Sequence, residues 1–163
     1  MSNIDTKEFY KIAIDTRNFE INLFWQRSNY FLVLNTAIAI GTFSRVHPEF
    51  QLPFAIFGIV ISYLWFRVNL GSKYWQVRWE HKVAELEEKI DREILFSADR
   101  DTTDKAVENF LSPNKHQDSL PSIYENLILS KASVSRNMIY LSMTFVIFWT
   151  VILLFLCCKN FNW

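Results

Sequence analysis

Three stretches without a single Lys, Arg, Asp or Glu constrain this chain more than any other feature: residues 28–44, 50–66 and 137–158. At about 1.5 Å rise per residue, the first two extend roughly 25 Å as helix and the third roughly 33 Å. A bilayer's hydrocarbon core is about 30 Å thick. The third stretch, "NMIYLSMTFVIFWTVILLFLCC", is apolar on every face and is predicted to cross it outright. The first two are shorter, but Arg27 and Arg67 flank them and can snorkel. Trp25, Trp65 and Trp75 stand near their ends, where an aromatic belt belongs. Three core helices of a soluble bundle are the competing reading, and the all-round apolar third stretch argues against it.

The expected fold is therefore an all-α membrane protein with three transmembrane helices. Charge sets the orientation. Residues 1–27 hold four Lys and Arg and residues 67–136 hold eleven, whereas the 45–49 turn and the tail after residue 158 hold one each. The positive-inside rule places the N-terminus and middle segment in the cytoplasm and the C-terminus outside. No cleavable signal peptide is expected, since the first 27 residues have no continuous apolar run. The 163 residues suffice for one domain, and the zero net charge gives no bulk pull toward nucleic acid.

Four segments follow. Residues 1–27 predict an amphipathic helix from about Thr6, with Phe9, Ile12, Ala13, Phe19 and Leu23 near helical spacing. Residues 28–66 form a transmembrane hairpin, reversed at "RVHPEF" by Pro48. Residues 67–136 form a cytoplasmic helical hairpin continuous with spans two and three. Its stripe of Trp75, Trp79, Val83, Leu86, Ile90 and Ile94 needs a partner surface, and Glu85–Lys89 and Glu88–Arg92 pair at i,i+4 along a helix reaching about residue 96. A polar loop at 98–121 holds a short helix near 103–111, and Ser119 and Pro121 suit the start of the next helix. Residues 137–163 complete the third span and a short outer tail. Cys157 and Cys158 read as apolar filler, with a disulfide between subunits as the alternative.

Polar residues inside the spans are the candidate site. In a helix, Ser28, Asn35 and Thr42 fall within about 40° of one line. Lipid offers Asn35 no hydrogen-bond partner. Either this face bonds to neighbouring helices, or it lines a water-filled pore in an oligomer, since three spans alone cannot enclose a channel. Ala37 with Gly41, and Gly58 with Ser62, are small pairs four apart that suit helix packing. Arg27 with Glu20, and Arg67 with Asn69, suit orientation by snorkelling or a charged pore mouth.

Catalysis has no foothold. His47, His81 and His116 lie on separate segments, and no H-x-x-x-H, C-x-x-C, G-x-S-x-G or phosphate-cradling Gly loop occurs. The three spans carry no acid for a proton relay. "DRDTTD" lacks the glycine and distal glutamate of a calcium loop. No enzyme activity, cofactor or metal is expected.

The stretches "FWQRSNYFLVLNTAIAIG" and "YLWFRVNLGSKYWQVRWEHKVAELE" resemble small bacterial integral membrane effectors of anti-phage defence, nearest in design to those of Hailong-type and some retron-type systems. The resemblance covers residues 22–90. It is carried by Trp25, Arg27, Tyr30 and Phe31, then Asn69, Ser72, Tyr74, Trp75 and Trp79. It implies an oligomeric channel in the bacterial inner membrane, held shut by a nucleotide or nucleic-acid signal or a protein partner until infection. Taken with the residues, it gives a homo-oligomeric membrane channel or membrane-perturbing effector, with a non-conducting anchor or scaffold that recruits a soluble partner as the alternative.

Overall fold

A computed structural model describes residues 6–44, 48–90, 103, 105, 106 and 133–161. The elements are three long helices and one short turn: α1 (Thr6–Phe43), a 3-10 turn (Pro48–Phe50), α2 (Gln51–Ile90) and α3 (Val134–Phe161). Two helices are long and apolar enough to cross a membrane, over Gln51–Ile90 and Val134–Lys159. Among the described residues α1 does not meet that standard, although 28–44 is uncharged. Thr36, Thr42, Thr144 and Thr150 each donate to the carbonyl four residues back, so these hydroxyls sit in helices without an unmet donor.

The helices start and stop where the local chemistry dictates. α1 begins at Thr6, as the amphipathic pattern predicts, and runs on as one helix. Pro48 opens the 3-10 turn that leads into α2. Pro53, in α2's first turn, removes no hydrogen bond the helix needs. The expected end of α2 near residue 96, together with Ile94, Arg92 and the 98–121 loop, lies outside the described residues. Within the short helix expected at 103–111, Thr103, Lys105 and Ala106 are described and helical.

The chain divides into two compact units. One comprises Met1–Thr16 and Arg78–Ser133, the other Arg17–Val77 and Val134–Trp163. This partition cuts through α1 and α2. The first unit has a small core of Ala13, Val83 and Leu86, flanked by Tyr10, Ile14 and Trp79. Of Phe9, Ile12, Ala13, Phe19 and Leu23, only Ala13 is buried, and Phe9, Ile12 and Phe19 are exposed. The α2 stripe does face this core at Trp79, Val83 and Leu86, with Ile90 half-buried, while Trp75 belongs to the other unit and is exposed.

The second unit is a three-helix bundle. Ile38, Ala55 and Trp149 form its apolar core, one residue from each helix. Contacts Asn35–Ser62 and Arg27–Ser72 run α1 antiparallel to α2, and Asn69–Ser142 and Gln76–Ser135 run α2 antiparallel to α3. Glycine permits the closest approach. A Cβ on Gly58 would lie 2.4 Å from Cδ2 of Trp149, and one on Gly41 2.8 Å from Cε2 of Phe54. Both glycines thus receive aromatic rings and not a helix backbone. Ala37, the partner of Gly41 in the small pair, is exposed.

Candidate functional site

Asn35 lies at the junction of all three helices. Its residue position is 1% exposed, and so is that of Ser28, with Thr42 at 2%. The carboxamide Nδ2 of Asn35 donates to the Phe31 carbonyl at 2.9 Å, within its own helix. Its Oδ1 accepts from Ser62 Oγ at 2.8 Å and from Trp149 Nε1 at 2.9 Å. An indole N–H only donates, so it must face the amide oxygen, which settles the orientation of the carboxamide. The oxygen's two lone pairs are both used. Asn35 therefore ties α1 to α2 and α3 at one level.

Two more polar layers lie along the same seam. Asn69 Nδ2 donates to the Met138 carbonyl at 3.1 Å and to Ser142 Oγ at 3.3 Å, while Ser142 Oγ donates to the Ile139 carbonyl at 2.8 Å. Ser135 Oγ donates to Gln76 Oε1 at 2.7 Å. Between the Asn35 and Asn69 levels, Trp65 stacks on Phe31 at a centroid distance of 6.2 Å and meets Phe145 at 5.8 Å. Trp65 Nε1 and Ser28 Oγ are the seam's buried side-chain atoms without a hydrogen bond. The seam combines apolar packing with paired polar groups, and pairing is what makes buried amides tolerable.

This geometry places the predicted residues plainly. Ser28, Asn35 and Thr42 share one face, as their spacing requires, but that face is covered by the protomer's own helices. Thr42 Oγ1 bonds to the Ile38 carbonyl at 2.8 Å. The three residues thus lie on the face of α1 that is turned into the protomer's own bundle. Asn69 is 1% exposed and belongs to the same seam, whereas Arg67 is exposed and donates to Tyr63 Oη at 3.4 Å. Arg67 and Asn69 leave α2 on different faces. Arg27 donates to Ser72 Oγ at 3.3 Å, a partner that spacing along one helix could not reveal. Gly58 and Ser62 are buried, and Ser62 does more than pack, since its hydroxyl completes the Asn35 hub. Trp149 was not singled out from the sequence. One signal was available for Trp149: a buried indole N–H needs an acceptor, and Asn35 needed a donor.

The smaller unit holds a polar contact of its own. Glu87 is 4% exposed, and Tyr10 Oη donates to its Oε1 at 3.4 Å. Burial, then the adjacent Glu87 carboxylate, pushes the Tyr10 phenol above its ordinary value. On the exposed side, Glu85 accepts from Lys89 at 2.7 Å and from Lys82 at 2.9 Å. The Lys89 bond first, and Lys82 second, hold its carboxyl down to about 2.

Comparison with known proteins places this architecture. Curated proteins give no match to the chain. Solved structures give none either. The family model described as "Octameric membrane protein family (8xMP)" matches residues 7–158, which takes in all three helices but for the first residue of α1 and the last three of α3, and the chain belongs to that family.

Proposed function

We propose that this homo-oligomeric membrane protein is a channel: eight three-span protomers ringed around an axial path that leaks ions when open. The observation that carries the reading is the double hydrogen bond of Asn35. It fastens α1, near the middle of its charge-free stretch, to α2 and α3, the two helices apolar enough to cross a membrane. A helix tied at that level, uncharged over residues 28–44, is a third span. The Asn35 carboxamide finds its partners inside the bundle, so Asn35 itself does not oppose insertion. The same pairing makes the seam an interhelical lock, and conduction is assigned to the space between copies. An octamer supplies such a space, which a lone bundle does not.

The finer setting follows from the sequence. The Lys and Arg distribution supports a cytoplasmic N-terminus and an outer C-terminus. The resemblance of residues 22–90 to defence effectors supports a place in a bacterial inner membrane. There, opening on an infection signal, carried by a nucleotide, a nucleic acid or a protein partner, collapses the membrane potential. No group transfer is required of any residue.

Purified full-length protein in liposomes tests the reading. Dissipation of an imposed potassium gradient, in proportion to the octamer present, is the expected result. Octamers that hold the gradient under every activating condition would favour a non-conducting scaffold that recruits a partner through the helices beyond the membrane.

A further inference from the structure

The outward face of α1 carries a stripe that the seam does not use. Asn22, Gln26, Asn29, Val33, Thr36 and Ile40 are all exposed. Their spacings of four, three, four, three and four keep them within roughly 80° of arc, about 140° from the line through the buried Ser28, Asn35 and Thr42. The exposed faces of the other two helices differ. At the level of the bundle core α2 presents Ile56, Phe57, Val60 and Leu64, and α3 presents Ile147, Val151, Leu154 and Phe155. Those faces suit acyl chains. Asn29, inside the charge-free stretch and without a protein partner among the described residues, does not, because an unbonded amide facing hydrocarbon costs several kcal/mol; Asn22 and Gln26 continue the same face on the other side of Arg27.

Geometry supplies an occupant. Helices pack about 8–10 Å apart and measure about 10–12 Å across with side chains. Eight α1 helices in mutual contact around an axis therefore stand roughly 13 Å from it, leaving an open lumen about 8 Å in radius. Eight helices cannot fill their own centre. Turning the amide stripe inward satisfies those amides with water and leaves the apolar faces of α2 and α3 to the lipid.

We infer that the Asn22–Gln26–Asn29–Val33–Thr36–Ile40 face of α1 lines a wide, water-filled axial path between eight copies, and that the path discriminates weakly by charge. The inference rests on the channel reading and adds which surface conducts and what it selects. The stripe contains no ionisable group, and Thr36 spends its hydroxyl proton on the Leu32 carbonyl at 2.9 Å. Ions of both signs and small polar solutes pass such a wall, because it binds none of them tightly and strips little of their hydration.

Cysteine accessibility in the full-length protein tests this without relying on conduction. In a Cys157→Ala, Cys158→Ala background, single cysteines are placed at Asn29, Val33 and Thr36, and as controls at Phe57 and Val151. All five sites are exposed in the protomer, so none breaks the core. A charged, membrane-impermeant methanethiosulfonate should label the three α1 positions at least tenfold faster than the controls in liposomes. Equal, slow labelling at all five overturns the inference. If the wild type leaks while the α1 cysteines stay unlabelled, the channel reading survives and this lining does not. If they label while the wild type holds its gradient, the water-lined face stands and the conducting function falls. In a conducting protein, Asn29→Asp should shift the ion preference several-fold toward cations and Asn29→Lys several-fold toward anions. An unchanged ratio in both removes Asn29 from the path.

Discussion

Replacing Asn35 with leucine tests the hub most directly. The two side chains are close in size, so the change removes hydrogen bonding with little change in volume. Two buried donors lose their acceptor: Ser62 Oγ at 2.8 Å and Trp149 Nε1 at 2.9 Å. Interhelical bonds inside membranes average about 0.6 kcal/mol and reach about 1.7. Two of them give a loss of about 1–3 kcal/mol, moderated if Ser62 turns its hydroxyl to its own backbone. Reversible unfolding in mixed micelles measures the total. A cycle with Trp149→Phe isolates one bond, because the volume lost from the indole is common to both arms. A coupling of about 0.6–1.7 kcal/mol is expected. Thr36→Leu, which touches a bond within one exposed helix, should change stability by less than about 0.5 kcal/mol. If Asn35→Leu unfolds like the wild type, or if the cycle is additive within about 0.3 kcal/mol, then Asn35 is not the tie between the helices. Its side chain would then be free to face water, and the seam would again be a candidate path.

Two glycines of α2 should respond in opposite directions. Gly58→Ala sets a methyl 2.4 Å from the Trp149 ring, whose N–H is held by Asn35, so overpacking of about 1–3 kcal/mol follows, partly relieved by Trp149→Phe. Gly71→Ala meets nothing within 4 Å at an exposed mid-helix position and should raise stability by about 0.5–1 kcal/mol. The same unfolding assay reads both. Glu85 gives the pH dependence. Its carboxyl is lowered to about 2, so its ion pairs contribute fully above the ordinary carboxylate value and are lost as pH falls toward 2. Carboxyl titration by NMR should find that midpoint, and Lys89→Ala should move it up. A midpoint near 4.5 in the wild type would show that the Lys89 and Lys82 contacts do not persist in solution.

The positions of the helices were readable because charge marks where a chain can enter hydrocarbon. Residues 51–66 and 137–158 sit within α2 and α3, and the amphipathic start at Thr6 opens α1. The stripe through Trp79, Val83 and Leu86 was legible for the same kind of reason, since its period matches one helical face and its neighbours are charged. The early pattern of α1 was not, because aromatic and apolar residues there occupy several faces at once. Phe9, Ile12 and Phe19 are all exposed in the protomer while Ala13, the smallest of the set, is buried.

Sequence alone determined that this chain is helical, that Ser28, Asn35 and Thr42 share a face, and that Asn35 needs a partner. It could not choose between water and a neighbouring helix, because a single helix has no record of what lies across from it. Only the tertiary structure made that choice. It brought Ser62 and Trp149, 27 and 114 residues away along the chain, within 3 Å of one amide oxygen. By enclosing that face it left another face of α1, with Asn22, Gln26 and Asn29, exposed. The physical reason is hydrogen-bond saturation: a carboxamide oxygen that already accepts two protons has nothing left to offer a passing ion.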